Sequence, residues 1–185
     1  GLVNSFVMAN GLPIYAAGSG YAGDDSVQLV KKDRDSRLVL FMKAPGELKF
    51  TEGDVSLEPH PMIISNAIEN KYITGYPVKK GLSYVRCQVE GLQGTIGSIV
   101  FRAVEAYLNY IEASYLKNGS IDSKADGYWK AIRERAGINS DYNVTIAATD
   151  MAEEAKNDMA AYSQGVLLAD KVLYNIRRER RDELI

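Results

Sequence analysis

The sequence predicts a mainly α fold: a tetratricopeptide (TPR)-like helical hairpin plus a further helix, with a loop-rich segment carrying short strands. Three observations predict it. All five prolines and most of the sixteen glycines fall before residue 98, and these residues punctuate loops and turns. Between Ser98 and Lys117 neither occurs, and apolar residues recur at helical spacing. At the C-terminal end, Leu173, Ile176 and Leu184 repeat at helical spacing through a run of alternating arginines and acids. A chain of 185 residues is long enough for one domain with a sizeable core. We divide it into a loop-rich segment, 1–97, and a helical segment, 98–185, both parts of one domain.

Within the first segment, Leu38–Met42 is a short apolar run closed by Pro45-Gly46, so it reads as a buried strand or part of a helix. Residues 72–78 and the alternating stretch Tyr84–Val89 read as strands. A helix is then expected over 98–117. Ser98 is its N-cap, Asn118-Gly119 its stop, and Ile99, Ala103, Ala106, Tyr110 and Ala113 its apolar face. A second helix, Ser123–Ala136, presents Ala125, Trp129, Ile132 and Ala136 and ends at Gly137. The connection is short and polar, so the two helices should pack antiparallel. Together they span close to the roughly 34-residue period of a TPR unit. Residues 139–165 are polar and acidic, with a capping-box-like Asp150 and Glu153. The last helix is expected from about Val166 to the end. No Gly, Asn or Pro stops it, so the chain reads as a piece of a longer protein.

Composition narrows the function classes. The net charge of −2 offers no basic face for nucleic acid. The single cysteine, Cys87, excludes an internal disulfide and lies far from the N-terminus. No apolar run reaches the length of a membrane span. His60, flanked by Pro59 and Pro61, has no companion ligands at metal spacing, and it offers no Ser-His-Asp set. Gly18, Gly20 and Gly23 spell a dinucleotide-type string without the preceding strand and following helix that such a site needs. Asp33 and Asp35 alternate with Arg34 and Arg37, which suits ion pairs and a turn better than a catalytic carboxylate pair. The arginines 177, 178, 180 and 181 have Glu179, Asp182 and Glu183 within a turn, as expected of a salt-bridged helix. We therefore expect no catalytic residues, no metal and no cofactor.

Two tyrosines stand apart. Tyr15 and Tyr21 sit in a loop of Gly, Ala, Ser and Asp with no obvious core to receive them. Sugars present flat C–H faces that stack on aromatic rings, and Asp24 and Asp25 could accept sugar hydroxyl hydrogens. Tyr15, Tyr21, Asp24 and Asp25 are the candidate ligand-binding residues. Tyr107, Tyr110 and Tyr115 are instead expected to pack between helices with their hydroxyls hydrogen-bonded.

Five segments resemble one family. Asn4–Ile14 with Ser19-Gly20-Tyr21 leads into Asp33-Arg34-Asp35-Ser36-Arg37-Leu38, close to an N-R-D-P-R-L motif. In it Asp33 stands for Asn and Ser36 for Pro. Thr74-Gly75-Tyr76 with Lys79-Lys80-Gly81 is similar to T-G-Y-x-x-x-K. Arg102, Glu105, Tyr107, Leu108, Asn109, Tyr110, Glu112 and Ala113 fit R-x-A-E-x-Y-L-N-Y-A-E-A. Residues 131–137 fit I-R-x-R-A-G, and 176–184 fit I-R-x-E-R-x-x-E-L. In order and spacing they resemble the SusD family, surface glycan-binding lipoproteins of Bacteroidetes outer membranes. The chain would correspond to the middle and later part of that architecture, without its N-terminal repeats and its C-terminal end. The resemblance implies non-enzymatic binding of a glycan, oligosaccharide or other nutrient at the outer-membrane surface. It also implies delivery to a SusC-like TonB-dependent transporter. Membrane attachment would run through a lipid anchor and signal peptide that this chain does not include. The alternative from the helical pair alone is a generic TPR-type protein–protein interaction module. A hydrolase is the third reading, and it lacks a convincing acid pair.

Overall fold

The computed structural model describes residues 1–52, 56–64, 72–81, 83–90, 94–95, 97–156 and 158–185, with nothing said of the Glu90 side chain. It is dominated by helices. The chain forms two compact units. The first combines Gly1–Tyr21, Asp33–Leu38 and Val100–Ile185; the second combines Ala22–Lys32 and Val39–Ile99.

In the first unit, after the short helix α1 (Leu2–Ser5), the helical part consists of a hairpin and three further helices. Numbered with the elements of the second unit in chain order, they are α5 (Ala103–Asn118), α6 (Ser123–Arg135), α7 (Tyr142–Ala148), α8 (Met151–Ala155) and α9 (Lys171–Leu184). Aspartates start four of them. Asp122, Asp141, Asp150 and Asp170 each accept backbone N–H groups of the following first turn, which would otherwise lack partners. The hairpin closes at Gly119, whose φ of 68° lets its N–H reach the Tyr115 carbonyl at 2.8 Å.

The hairpin is present, but α5 begins five residues later than expected. Its N-cap is Arg102, whose backbone N–H donates to Glu105 Oε1 at 3.0 Å. Ser98 lies outside it, and Ile99 is exposed. The buried face is also rotated: Val104, Leu108 and Ile111 face inward, while Ala103, Ala106 and Ala113 are exposed. The physical reason is size, because larger aliphatic side chains remove more apolar surface from water than alanines at the same spacing. On α6 the expected face, Ala125, Trp129, Ile132 and Ala136, is buried. These helices share one core with Tyr142 and Ile176, where Trp129 and Tyr142 stack at 4.2 Å and 6°. Tyr107 stacks on Tyr128 at 4.3 Å. The Tyr110 hydroxyl donates to Asp122 at 3.1 Å and the Tyr115 hydroxyl to Asp170 at 2.8 Å, so α5 also steadies two of the capping aspartates.

The last helix starts at Lys171, not Val166. Val166–Leu167 (β4) pairs antiparallel with Tyr162–Ser163 (β3). Gln164 and Gly165 both have positive φ, 52° and 80°, as a two-residue hairpin turn of the primed type requires. A turn that reverses the chain there excludes helix until Asp170 caps it. The polar, acidic stretch 139–165 holds α7 and α8, and Asp150, the expected helix start, caps α8.

In the second unit, α2 (Val27–Lys31) is capped by Ser26, which accepts from Leu29 N–H at 3.2 Å. Helix α3 (Ser36–Phe41) resolves the strand-or-helix choice for the apolar run, and its second half belongs to this unit. Strand β1 (Leu48–Phe50) pairs antiparallel with β2 (Ser56–Leu57), and Met42 forms an isolated bridge with Val78. The stretch Tyr84–Val89 is not a strand: Arg86–Glu90 form α4. Its Tyr/Val alternation is too short to outweigh the local helical turn. Among the described residues of this unit, Val30, Met42, Ala44 and Phe50 are buried apolar side chains.

Candidate functional site

The loop that carries Tyr15 and Tyr21 is built on a stapled base. Gly11 has φ 86°, which permits Met8 N–H to donate to Leu12 O at 2.9 Å and Gly11 N–H to Met8 O at 2.8 Å. Thr145 Oγ1 donates to Gly11 O at 2.5 Å, and Asn139 N–H to Ala9 O at 2.8 Å. Above this base the Asn10 amide donates to Ser19 O at 3.2 Å, and Ser19 Oγ donates to Ile14 O at 3.0 Å. A Cβ on Gly11 would lie 3.1 Å from Arg133 Nη2 and 3.2 Å from Asn139 Cβ.

Within this frame the phenol of Tyr15 has partners. Its hydroxyl accepts from Asp150 N–H at 2.9 Å and donates to Glu154 Oε1 at 2.9 Å. Burial, with the Glu154 carboxylate beside it, holds this phenol above its ordinary pKa. The residue is still 37% exposed. It lines a pocket of about 120 Å³ together with Asn4, Ile14, Glu153, Glu154 and Asp158. Tyr21 is half-buried, with the Arg34 guanidinium 5.3 Å from its ring centroid. Asp24 and Asp25 are exposed and belong to the second compact unit. The acids beside Tyr15 were not among the expected contacts. The signal for them was the acidic run after Asp150, of which only the capping pair was read.

The arginine-rich motifs find each other. Glu179 accepts from Trp129 Nε1 at 3.0 Å and Arg133 Nη1 at 3.1 Å, and Arg37 Nη2 lies 2.7 Å from its other oxygen. Arg37 forks onto Asp35, with Nη2 at 2.6 Å, and reaches Glu183 at 3.2 Å. Glu183 is also paired with Arg135 at 2.5 Å and with Arg102. Burial alone would raise the Glu179 pKa, but Arg37, Arg133 and Trp129 outweigh it and hold the carboxyl below its usual range. The acids of the last helix were expected to pair with arginines of the same helix. They pair mainly with other elements, because they face inward while Arg177 reaches Glu112 at 2.9 Å and Arg181 reaches Asp158 at 2.8 Å. Ser36, at the position where the motif has Pro, donates both its N–H and its hydroxyl to Ala136 O, at 3.1 and 2.7 Å. Proline has no such N–H to give.

A second buried set surrounds Arg178, which donates to Glu154 at 2.6 Å and to Asn175. Tyr174 donates to Glu154 at 2.8 Å. Asp182 is different. Its Oδ1 lies 2.5 Å from Ser5 Oγ, and Ser5 Oγ lies 2.7 Å from Leu2 O. A hydroxyl carries one proton, so Ser5 Oγ donates to one of these two acceptors at a time. Burial pushes this carboxyl up to about 7 against the nearby arginines and Ser5.

These clusters explain the motifs as structure: their acids are taken up by guanidiniums and phenols. Among the described residues no group of three or more His, Cys, Asp or Glu could hold a metal ion. His60 is exposed. Among the described residues no helix is long and apolar enough to cross a membrane.

A model of the SusD family matches residues 1–185, the whole of the chain. No curated protein and no solved structure matches it.

Proposed function

The chain belongs to the SusD family, and on that premise we propose that it is a non-enzymatic receptor that takes up a glycan and delivers it to a SusC-like TonB-dependent transporter. The family is associated with glycan and nutrient binding at the cell surface, and its members are binding proteins rather than enzymes. A lipid anchor in the outer membrane would hold such a receptor beside its transporter.

The observation that carries the reading on this chain is Tyr15. Its ring is partly exposed while its hydroxyl is held by Asp150 and Glu154. A ring fixed in this way offers a stacking face at little conformational cost. The neighbouring carboxylates Glu153, Glu154 and Asp158 supply acceptors for sugar hydroxyls. Tyr21 completes the proposed contact set of this unit. Affinity electrophoresis or calorimetry against a glycan panel tests it. Tyr15→Ala with Tyr21→Ala should weaken binding several-fold, on the order of 1 kcal/mol per lost aromatic contact. Tyr15→Phe keeps the ring and should retain most of the affinity. Unchanged affinity in the double variant would remove this loop from the site.

A further inference from the structure

The second compact unit contains a pocket of about 220 Å³ that the Tyr15 loop does not line. Three of its described lining residues are lysines, Lys43, Lys49 and Lys79, against one acid, Glu58. Backbone pairing positions two of them: Lys43 N–H donates to Pro77 O at 2.9 Å and Lys79 N–H to Phe41 O at 2.8 Å, on either side of the Met42–Val78 bridge. Lys49 comes from β1, and Tyr84 is fixed by Thr51, whose N–H donates to the Tyr84 carbonyl at 2.9 Å.

Among the described residues, the local charges do not balance. Lys43 pairs with Glu58 at 3.2 Å. Glu47 is shared: it is bound by Lys31, accepts Ala44 N–H at 3.1 Å, and meets Lys79 only at 3.4 Å. Lys49 lies 5.0 Å from the Phe50 ring centroid, and among the described residues no acid pairs with it. Among the described residues, Lys31, Lys43 and Lys79 thus share two carboxylates, Glu47 and Glu58, and Lys49 has none. A cavity lined by one sign of charge concentrates ligands of the other. The same wall carries Leu40, Leu48 and the exposed ring of Tyr84, an apolar face that a bare inorganic anion does not use. The volume lies below the roughly 300–1,000 Å³ of drug-sized sites, so it suits one ring rather than a chain segment.

We propose that this pocket binds a single sugar residue bearing a carboxylate, of the hexuronate class. The carboxylate sits between Lys49 and Lys79, and the ring lies against Tyr84. The site is separate from the Tyr15 loop and goes beyond the reading above.

Sodium glucuronate, glucose and sodium sulfate, titrated separately by calorimetry or saturation-transfer NMR, test it. Glucuronate should bind, with glucose roughly tenfold weaker or more, the equivalent of one charge-assisted contact. Lys49→Gln and Lys79→Gln should each weaken glucuronate several-fold while shifting the melting temperature by no more than about 2 °C. Tyr84→Ala, at an exposed position, should weaken glucuronate and leave sulfate unchanged. The Tyr15→Ala/Tyr21→Ala protein should keep glucuronate affinity, which separates this proposal from the loop. Equal affinity for glucose, indifference to both lysine substitutions, or sulfate binding as tightly as glucuronate would each overturn it.

Discussion

The helical unit and the loop-rich unit both bury cations, but they use different ones. Among the described residues, the buried cations of the helical unit are Arg34, Arg133 and Arg178, with Arg37 half-buried; those of the loop-rich unit are Lys31 and Lys43. Arg37 contacts three acids from two parts of the chain, Asp35, Glu179 and Glu183. A planar guanidinium can hold several acceptors at fixed angles, whereas an ammonium is a point charge on a flexible stem. The arginines therefore lock elements together. Lys43 and Lys79 hold looser pairs, at 3.2 and 3.4 Å, and that leaves charge to spare around a pocket.

This contrast breaks most sharply at Glu179. Glu179→Ala leaves Arg133 and Arg37 buried without their shared acid and Trp129 Nε1 without an acceptor. The expected cost is about 3–5 kcal/mol, read as a lower urea midpoint; a loss under about 1 kcal/mol would show the arginine network to be dispensable.

Next in size is Gly11→Ala, where both the positive φ and the contact with Arg133 and Asn139 oppose a methyl group. About 2 kcal/mol is expected. A neutral substitution would mean that the loop base shifts freely.

Asp182 gives a pH test. Its folded pKa, about 7, lies above the ordinary 3.8. Its contribution is therefore complete below the ordinary value and is lost as pH rises through about 7. Stability should fall by about 1 kcal/mol between pH 6 and pH 8. Asp182→Asn should flatten that slope, and an unchanged slope would show that Asp182 is ionised throughout. Glu179 works in the opposite direction, because its pKa is lowered. Its contribution disappears only in acid, as pH falls below the carboxylate range.

The smallest effect belongs to the lysine side. Lys79→Met removes a half-screened pair with Glu47 and should cost about 0.5 kcal/mol or less. A loss comparable to that of Glu179→Ala would erase the distinction between the two units.

The same contrast explains what was legible in the sequence. Four of the five motif segments contribute Arg37, Arg102, Arg133, Arg135, Glu179 and Glu183 to one ionic cluster. Buried charges need definite partners, so their spacing is strict and readable. Trp129 and its α6 neighbours were readable for the same reason, since one helix face must be apolar. The rotated face of α5 was not, because alanine and the larger aliphatics alternate there and spacing alone cannot rank them. The β3–β4 turn was missed because Gln-Gly is a weaker signal than Asn-Gly. The proposed ligand contacts are the least legible. Tyr15 could be singled out, but Glu153, Glu154 and Asp158 come to it from far along the chain. The lysine pocket is assembled by strand and bridge pairing that no local pattern announces.

The stapled base of the Tyr15 loop has a consequence for how ligands would be exchanged. Gly11 and Ala9 are fixed by Thr145 and Asn139, and Asn10 and Ser19 close the loop above them. The backbone there holds its shape through contacts that do not involve the outward side chains. If the loop binds as proposed, it works like a socket with interchangeable fittings: replacing the ring at position 15 or 21 would alter the contact offered to a ligand without asking the chain to refold. A loop that is already ordered also gives up little further freedom when a ligand arrives. Capture and release can then follow the supply of ligand closely, without waiting for the loop to form around it.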